Sequence, residues 1–360
     1  MHWFQTILFL VSLSSASVQS SEGRIVSEHV RLRIPAEREW LGRESIGDLE
    51  RCWRYIDGVT KEKLPRRIVV EVAWERLENT INASEGIISI GMGHPAARSQ
   101  PKAYLLHSTA REMTRLALAD LSRGAALRGD TQMLTEGMVE IVAREYLGLG
   151  KSLASAWVLA HFLDRTKPLS LATPLSSTPA SGSRPDLRAA APGITLLLTC
   201  RELHGRESLI KLFEALRKVK PDEALASTFK TPVRVLEEAW LKKVRSYEVA
   251  GDITVTSPED SPVLRQTTFV PPRGPTGTNL ELKLLLQDKT HDLSPSSVFV
   301  EDEGSSRVFQ GRGSGSEGEF TIFEIAVDGK RRPGKYGFKA FAIDDAGNTR
   351  HWNGAYTIDD

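Results

Sequence analysis

The chain has 360 residues, 40% hydrophobic and 26% charged, the balance of an ordinary globular protein. Its 47 basic and 46 acidic side chains leave a formal charge of +1, so no field draws it to nucleic acid or an anionic membrane, and neither is expected as a partner. At this length about two to three domains are expected.

In chain order, Trp3 to Leu13 is an apolar run followed by the small polar residues Ser14-Ser15-Ala16-Ser17. It is too short to span a bilayer and reads as a secretory signal over residues 1–20. Export to a periplasmic, cell-surface or extracellular location is expected. No later segment is apolar enough to anchor the mature chain, so no integral membrane span is expected either. The two cysteines, Cys52 and Cys200, can pair in an oxidising compartment or stand as separate buried thiols.

Alternation of Ile25, Val30, Leu32 and Ile34 predicts a half-buried strand over 24–35. Ile46, Leu49, Cys52, Trp53 and Ile56 fall on one helical face over 44–57. Residues 67–72 and 87–90 are β-branched runs and predict short strands. A helical stripe of Leu106, Ala110, Met113, Ala117 and Leu121 covers 102–122, and a second helix is predicted over 135–146. Residues 168–193 carry five prolines among Ser, Thr, Ala and Gly and predict a flexible loop. Helices follow over 194–203, 208–218, 222–229 and 232–244. Beyond about residue 252 the pattern changes to alternating strands over 280–286, 297–300, 319–327 and 335–343, separated by turn residues.

The informative segment is Arg111-Glu112-Met113-Thr114-Arg115, followed downstream by Leu134-Thr135-Glu136-Gly137-Met138-Val139-Glu140. With histidine at 111 and 115 this would be the H-E-x-x-H motif plus a downstream glutamate. It resembles the metal-binding layout of the gluzincin, or peptidase MA-like, zinc metallopeptidases. The Glu237 to Trp240 pattern resembles the tail of that group. The resemblance covers residues 24–250 and implies an α+β zincin-like domain, a small sheet plus helices.

By that resemblance Glu112 matches the general base and Glu136 the third zinc ligand, while Arg111 and Arg115 occupy the two ligand positions. A guanidinium has five donors and no accessible lone pair, so it cannot coordinate zinc. Glu112 is then a vestigial base, and Arg111, Arg115, Glu136 and Glu140 line a former cleft. No metal ligand set is assigned and no cofactor is expected, zinc entering only if substitute ligands exist. A plain reading also stands, in which Arg111 and Arg115 lie on a solvated helix face and Glu112 supports Arg115. The sharper expectation is that an arginine fills the metal position and pairs with Glu136.

Residues 334–348, from Gly334-Lys335-Tyr336 to Asp345-Ala346-Gly347-Asn348, resemble the ending of bacterial immunoglobulin-like and fibronectin-like modules. The resemblance implies an all-β sandwich over 253–360, with Trp352 and Tyr356 on the closing strand. The expected fold is therefore multidomain, a zincin-like α+β domain followed by an immunoglobulin-like sandwich. The expected function is a secreted pseudoenzyme that binds a protein or peptide or serves as scaffold. The alternatives are an active metallohydrolase with rearranged ligands (His107, Glu136) and a purely structural envelope protein.

Overall fold

The computed structural model describes residues 22–171, 187–249, 251–253, 260–270, 279–289, 293–303, 307–317, 320–328 and 334–358. The expected signal segment, residues 1–20, lies outside them. The described chain is mixed α/β, with helices concentrated before residue 246 and antiparallel sheets after it. Among the described residues, no helix is long and apolar enough to cross a membrane.

The first sheet has the order β1-β2-β3-β5-β4. It is built from β1 (Glu22–Val26), β2 (Val30–Pro35), β3 (Ile68–Ala73), β4 (Thr80–Asn82) and β5 (Ile87–Gly91). The expected single strand over 24–35 is thus two, turned back on each other at residues 27–29 and paired antiparallel. β2, β3 and β5 run parallel, while β4 pairs antiparallel with β5 and forms an edge. Alternate residues of β2 and β3 are fully buried and those between are half-buried, the period-2 pattern that their β-branched runs dictate.

Helix α1 (Glu39–Val59) packs its Leu49, Cys52, Trp53 and Ile56 face onto this sheet. After the short α2 (Pro95–Ser99), Pro101 opens α3 (Pro101–Leu121), the helix that carries the arginine motif. From Leu105 to Ala119 every α3 residue except half-buried His107 is buried. The solvated-face reading of Arg111 and Arg115 is therefore overturned: α3 is enclosed on all sides, and its charges must be met from within.

Helix α4 (Gln132–Tyr146) follows, then α5 (Leu153–Thr166), which had no counterpart among the predicted elements. Helix α6 (Leu187–His204) corrects the boundary of the expected 168–193 loop: the helix begins at residue 187 with Pro192 inside it. Residues 172–186 of that loop lie outside the described residues. The Pro192-Gly193 pair, a breaker by composition, sits where α6 crosses α4. A Cβ on Gly137 would stand 2.4 Å from the Gly193 carbonyl carbon, and one on Gly193 only 2.0 Å from the Met133 oxygen. Neither position has room for a side chain, so the two backbones touch.

Three further helices, α7 (Glu207–Ala215), α8 (Pro221–Phe229) and α9 (Val233–Arg245), close the helical part. Trp240 of α9 is fully buried and donates its indole N–H to Thr195 Oγ1 at 2.9 Å, while Glu237 accepts the Leu171 backbone N–H at 2.7 Å. These contacts give both residues of the Glu237 to Trp240 pattern packing roles. Cys52 and Cys200 are both buried and unpaired.

The remaining strands are β6 (Val263–Val270), β7 (Asn279–Gln287), β8 (Leu293–Asp302), β9 (Arg307–Gln310), β10 (Arg312–Glu317), β11 (Phe320–Asp328), β12 (Gly334–Asp344) and β13 (Thr349–Ile358). They form two four-stranded antiparallel sheets, ordered β10-β11-β7-β6 and β13-β12-β8-β9. Leu282, Leu284 and Leu286 of one sheet share a core with Val298, Val300, Phe338 and Ala340 of the other. Opposite Phe338 and Ala340, the other face of β12 turns Phe341 and Ile343 into the helical core. Phe162 of α5 meets Phe299 and Phe341 there, with ring centroids 5.3 and 4.5 Å apart. From Ala340 to Asp344, β12 is buried on both faces.

Candidate functional site

Helical spacing places Arg111 and Arg115 one turn apart on α3, and Glu136 and Glu140 one turn apart on α4. Because the two helices pack side by side, the four side chains interlock. Arg111 Nη2 donates to Glu136 Oε2 at 2.8 Å, and Arg115 Nη2 donates to Glu136 Oε1 at 2.6 Å. The carboxylate expected to be the third metal ligand thus bridges two guanidiniums, one on each oxygen. Arg115 Nη1 also donates at 2.6 Å to Glu112, the carboxylate expected to be a vestigial base.

Glu140 is completely buried and serves a second set of partners. Arg111 Nε lies 2.6 Å from its Oε1, a close ionic contact outside hydrogen-bond alignment. Arg144 Nε donates to Oε2 at 2.8 Å, and His107 Nε2 stands 3.2 Å from the same oxygen. His107 therefore meets Glu140 rather than Glu136, and the substitute pair His107 with Glu136 is not assembled. Three arginines face three glutamates, so the cluster is neutral when His107 is uncharged.

The electrostatics follow from this count. Burial opposes ionisation of Glu140, but Arg111, Arg144 and His107 outweigh it and hold its carboxyl well below the usual range. Glu136 is likewise pulled down by Arg115 and Arg111 against its burial. Burial pushes His107 below its ordinary value in spite of Glu140, leaving the imidazole neutral at pH 7. Burial works against the charge on Arg111 and Arg115, yet the surrounding carboxylates raise both guanidiniums further.

Arg144 was not anticipated, although its i,i+4 spacing from Glu140 is a sequence signal for the pair. It also leaves the helical part. Its Nη2 donates to the Asp345 carbonyl at 2.6 Å, and its Nη1 to the Ala346 carbonyl at 3.1 Å and Ser152 Oγ at 2.9 Å. These carbonyls belong to the turn between β12 and β13, which is fixed by Asp344 accepting the Asn348 backbone and side-chain N–H groups at 2.7 Å. Gly347 supplies the positive φ of 98° that the turn needs. Ser155 closes the contact by donating to the Gly347 carbonyl.

Above the cluster lies an open cleft of about 520 Å³. Asn79, Thr80 and Ile81 of the β4 edge form one wall, and Glu112, Arg115 and Glu136 face them. Asn79 Oδ1 accepts the Gly91 N–H at 3.0 Å while its buried Nδ2 has no partner. Arg111 and Glu140 lie deeper, behind these residues. The arrangement does not fit a zinc ion: both positions that would offer imidazole nitrogens offer donors only, and Glu136 is saturated by cations. Among the described residues, the one group of three ligand-type side chains within metal-binding reach is Glu28, His29 and Glu50 near the surface. Arg54 already pairs with both of its carboxylates, at 2.8 and 3.2 Å.

No protein-family model matches the chain, and no curated protein matches it. Among solved structures, the N-terminal part of the bacterial S-layer protein SbsC matches at 14% identity, over 73% of this chain and 67% of that chain, with a TM-score of 0.19. A likeness at that score carries no argument about fold or function.

Proposed function

We propose that this chain is an exported, non-catalytic relative of the gluzincin zinc peptidases, whose cleft binds a peptide or protein partner and whose C-terminal part is an immunoglobulin-like module. The observation that carries the reading is the double pairing of Glu136 with Arg111 and Arg115. Two guanidiniums stand where two imidazoles would hold a divalent cation, and they neutralise the carboxylate that such a cation would bind. Supporting it, the motif helix lies beneath a mixed sheet whose antiparallel edge strand borders the cleft. For the module, lettering β6 to β13 in order from A gives one sheet as D-E-B-A and the other as G-F-C-C′, an arrangement of immunoglobulin type.

The test is zinc stoichiometry by elemental analysis, on purified protein exposed to zinc and then desalted. The native chain should carry essentially none and should leave an unfolded protein substrate such as casein intact. Arg111→His with Arg115→His should raise the content to about one zinc per chain, because two imidazoles and Glu136 then complete three protein ligands. About one zinc on the native chain, together with casein cleavage, would sink the proposal.

A further inference from the structure

A second cavity, of about 260 Å³, opens where α5 meets the β13-β12-β8-β9 sheet, away from the arginine cluster. Strand alternation accounts for it. Phe338 and Ala340 point into the sandwich core, so Lys339 and Phe341 must face the helices. Register sets Glu301 beside Lys339 and His351 beside Phe341. From the other side α5 brings His161 and Arg165, one turn apart, and the chain after α9 brings Tyr247. Phe162 and Phe341 form the apolar floor.

The charges at this rim do not cancel. Glu301 is taken by Arg165 at 2.9 Å, and Asp252 by Arg350 at 2.9 Å, with His351 Nδ1 2.9 Å from the same Asp252 carboxylate. Lys339 has no acid within ion-pair distance among the described residues, and the Tyr247 hydroxyl has no hydrogen-bond partner among them. His161 Nδ1 lies 3.0 Å from the Val244 carbonyl, which requires the proton on Nδ1 and leaves Nε2 unpaired. The part of this junction next to the cavity has an apolar core of Phe162, Phe299, Phe341 and Ile343. Polar ends gathered without partners over an aromatic floor are the marks of a ligand pocket.

We propose that this cavity binds a small organic anion, with a carboxylate or phosphate head at Lys339 and Tyr247 and a short apolar body over Phe162 and Phe341. The volume lies below the roughly 300 Å³ at which drug-sized ligands begin, so the ligand is of benzoate size. Glu301, the carboxylate that lines the cavity, is held by Arg165 and rejects a second acid from its own side.

The experiment is isothermal titration of the full chain, at constant ionic strength, with benzoate, inorganic phosphate and benzylammonium as separate probes. Benzoate should bind in the millimolar range or tighter, and benzylammonium should not. Lys339→Met keeps the alkyl stem at a half-exposed position, so the fold should persist, and it should weaken benzoate at least tenfold. Tyr247→Phe should weaken it severalfold without loss of fold. Phosphate binding as well as benzoate would assign recognition chiefly to the head. Phosphate without benzoate would overturn the apolar subsite, and no binding of either probe, or affinity unchanged in both variants, would overturn the site.

Discussion

Glu140→Ala should lower folding stability by roughly 3–5 kcal/mol, read as a drop in the urea midpoint at unchanged slope. The carboxylate is fully buried and is shared by Arg111, Arg144 and His107. Its removal leaves three guanidiniums against two carboxylates, with Arg111 and Arg144 buried behind the cleft, and an uncompensated buried charge is the costly state. Glu140→Gln restores the shape and one acceptor oxygen but not the charge, so it should recover only part of the loss. A cost under about 1 kcal/mol for Glu140→Ala would mean that water reaches the cluster. The same carboxylates set the acid limit. Their folded values lie below the ordinary range, so their stabilisation is complete above the unfolded value of about 4.3 and is lost as pH falls through the depressed folded values. Stability should therefore fall steeply below about pH 4, with a shallower slope in Glu140→Gln.

Arg144→Met should cost a similar roughly 3–5 kcal/mol, for a partly different reason. Besides Glu140, this guanidinium satisfies two carbonyls of the 345–348 turn and the Ser152 hydroxyl. Methionine fills most of the volume but leaves two buried acceptors with reduced solvation. The discriminating measurement is a double-mutant cycle. Glu140→Leu with Arg144→Met removes the pair together and should cost less than the two single changes added, with a coupling of about 1–3 kcal/mol. Strict additivity would show that the two groups do not interact in solution. Limited chymotrypsin digestion of Arg144→Met should also cut faster at Tyr247, between α9 and β6, because the helical part loses its grip on the turn.

Much of the architecture was legible in period and punctuation. The β-branched runs gave the parallel strands, and the alternation at 335–343 placed the two faces of β12. Pairing of an arginine with Glu136 was readable because the i,i+4 spacing on α3 faces a second helix with the same spacing. What escaped has identifiable causes. Helix α5 is apolar nearly all round, since it is packed between α6, α9 and β9, and so shows no single stripe. The edge strand Arg312–Glu317 is rich in glycine and serine, and its strand state comes from pairing with β11 rather than from its own residues. Helix α6 runs through Pro192, and the Gly193 beside it answers the close crossing with α4, a tertiary demand invisible to local rules. The partners of Arg144 are some 200 residues away in the chain, beyond the reach of any motif.

That long-range contact also bears on how such a chain can be inherited. A module joined by a plain linker can be lost, duplicated or exchanged with little effect on its neighbour. Here the helical half carries, at position 144, a cation whose carbonyl partners are supplied by the other half. Recombination that replaced residues 253–360 would strand it. Descendants with a different C-terminal half should therefore also differ at 144, and those that keep the arginine should keep a tight turn that presents two carbonyls to it.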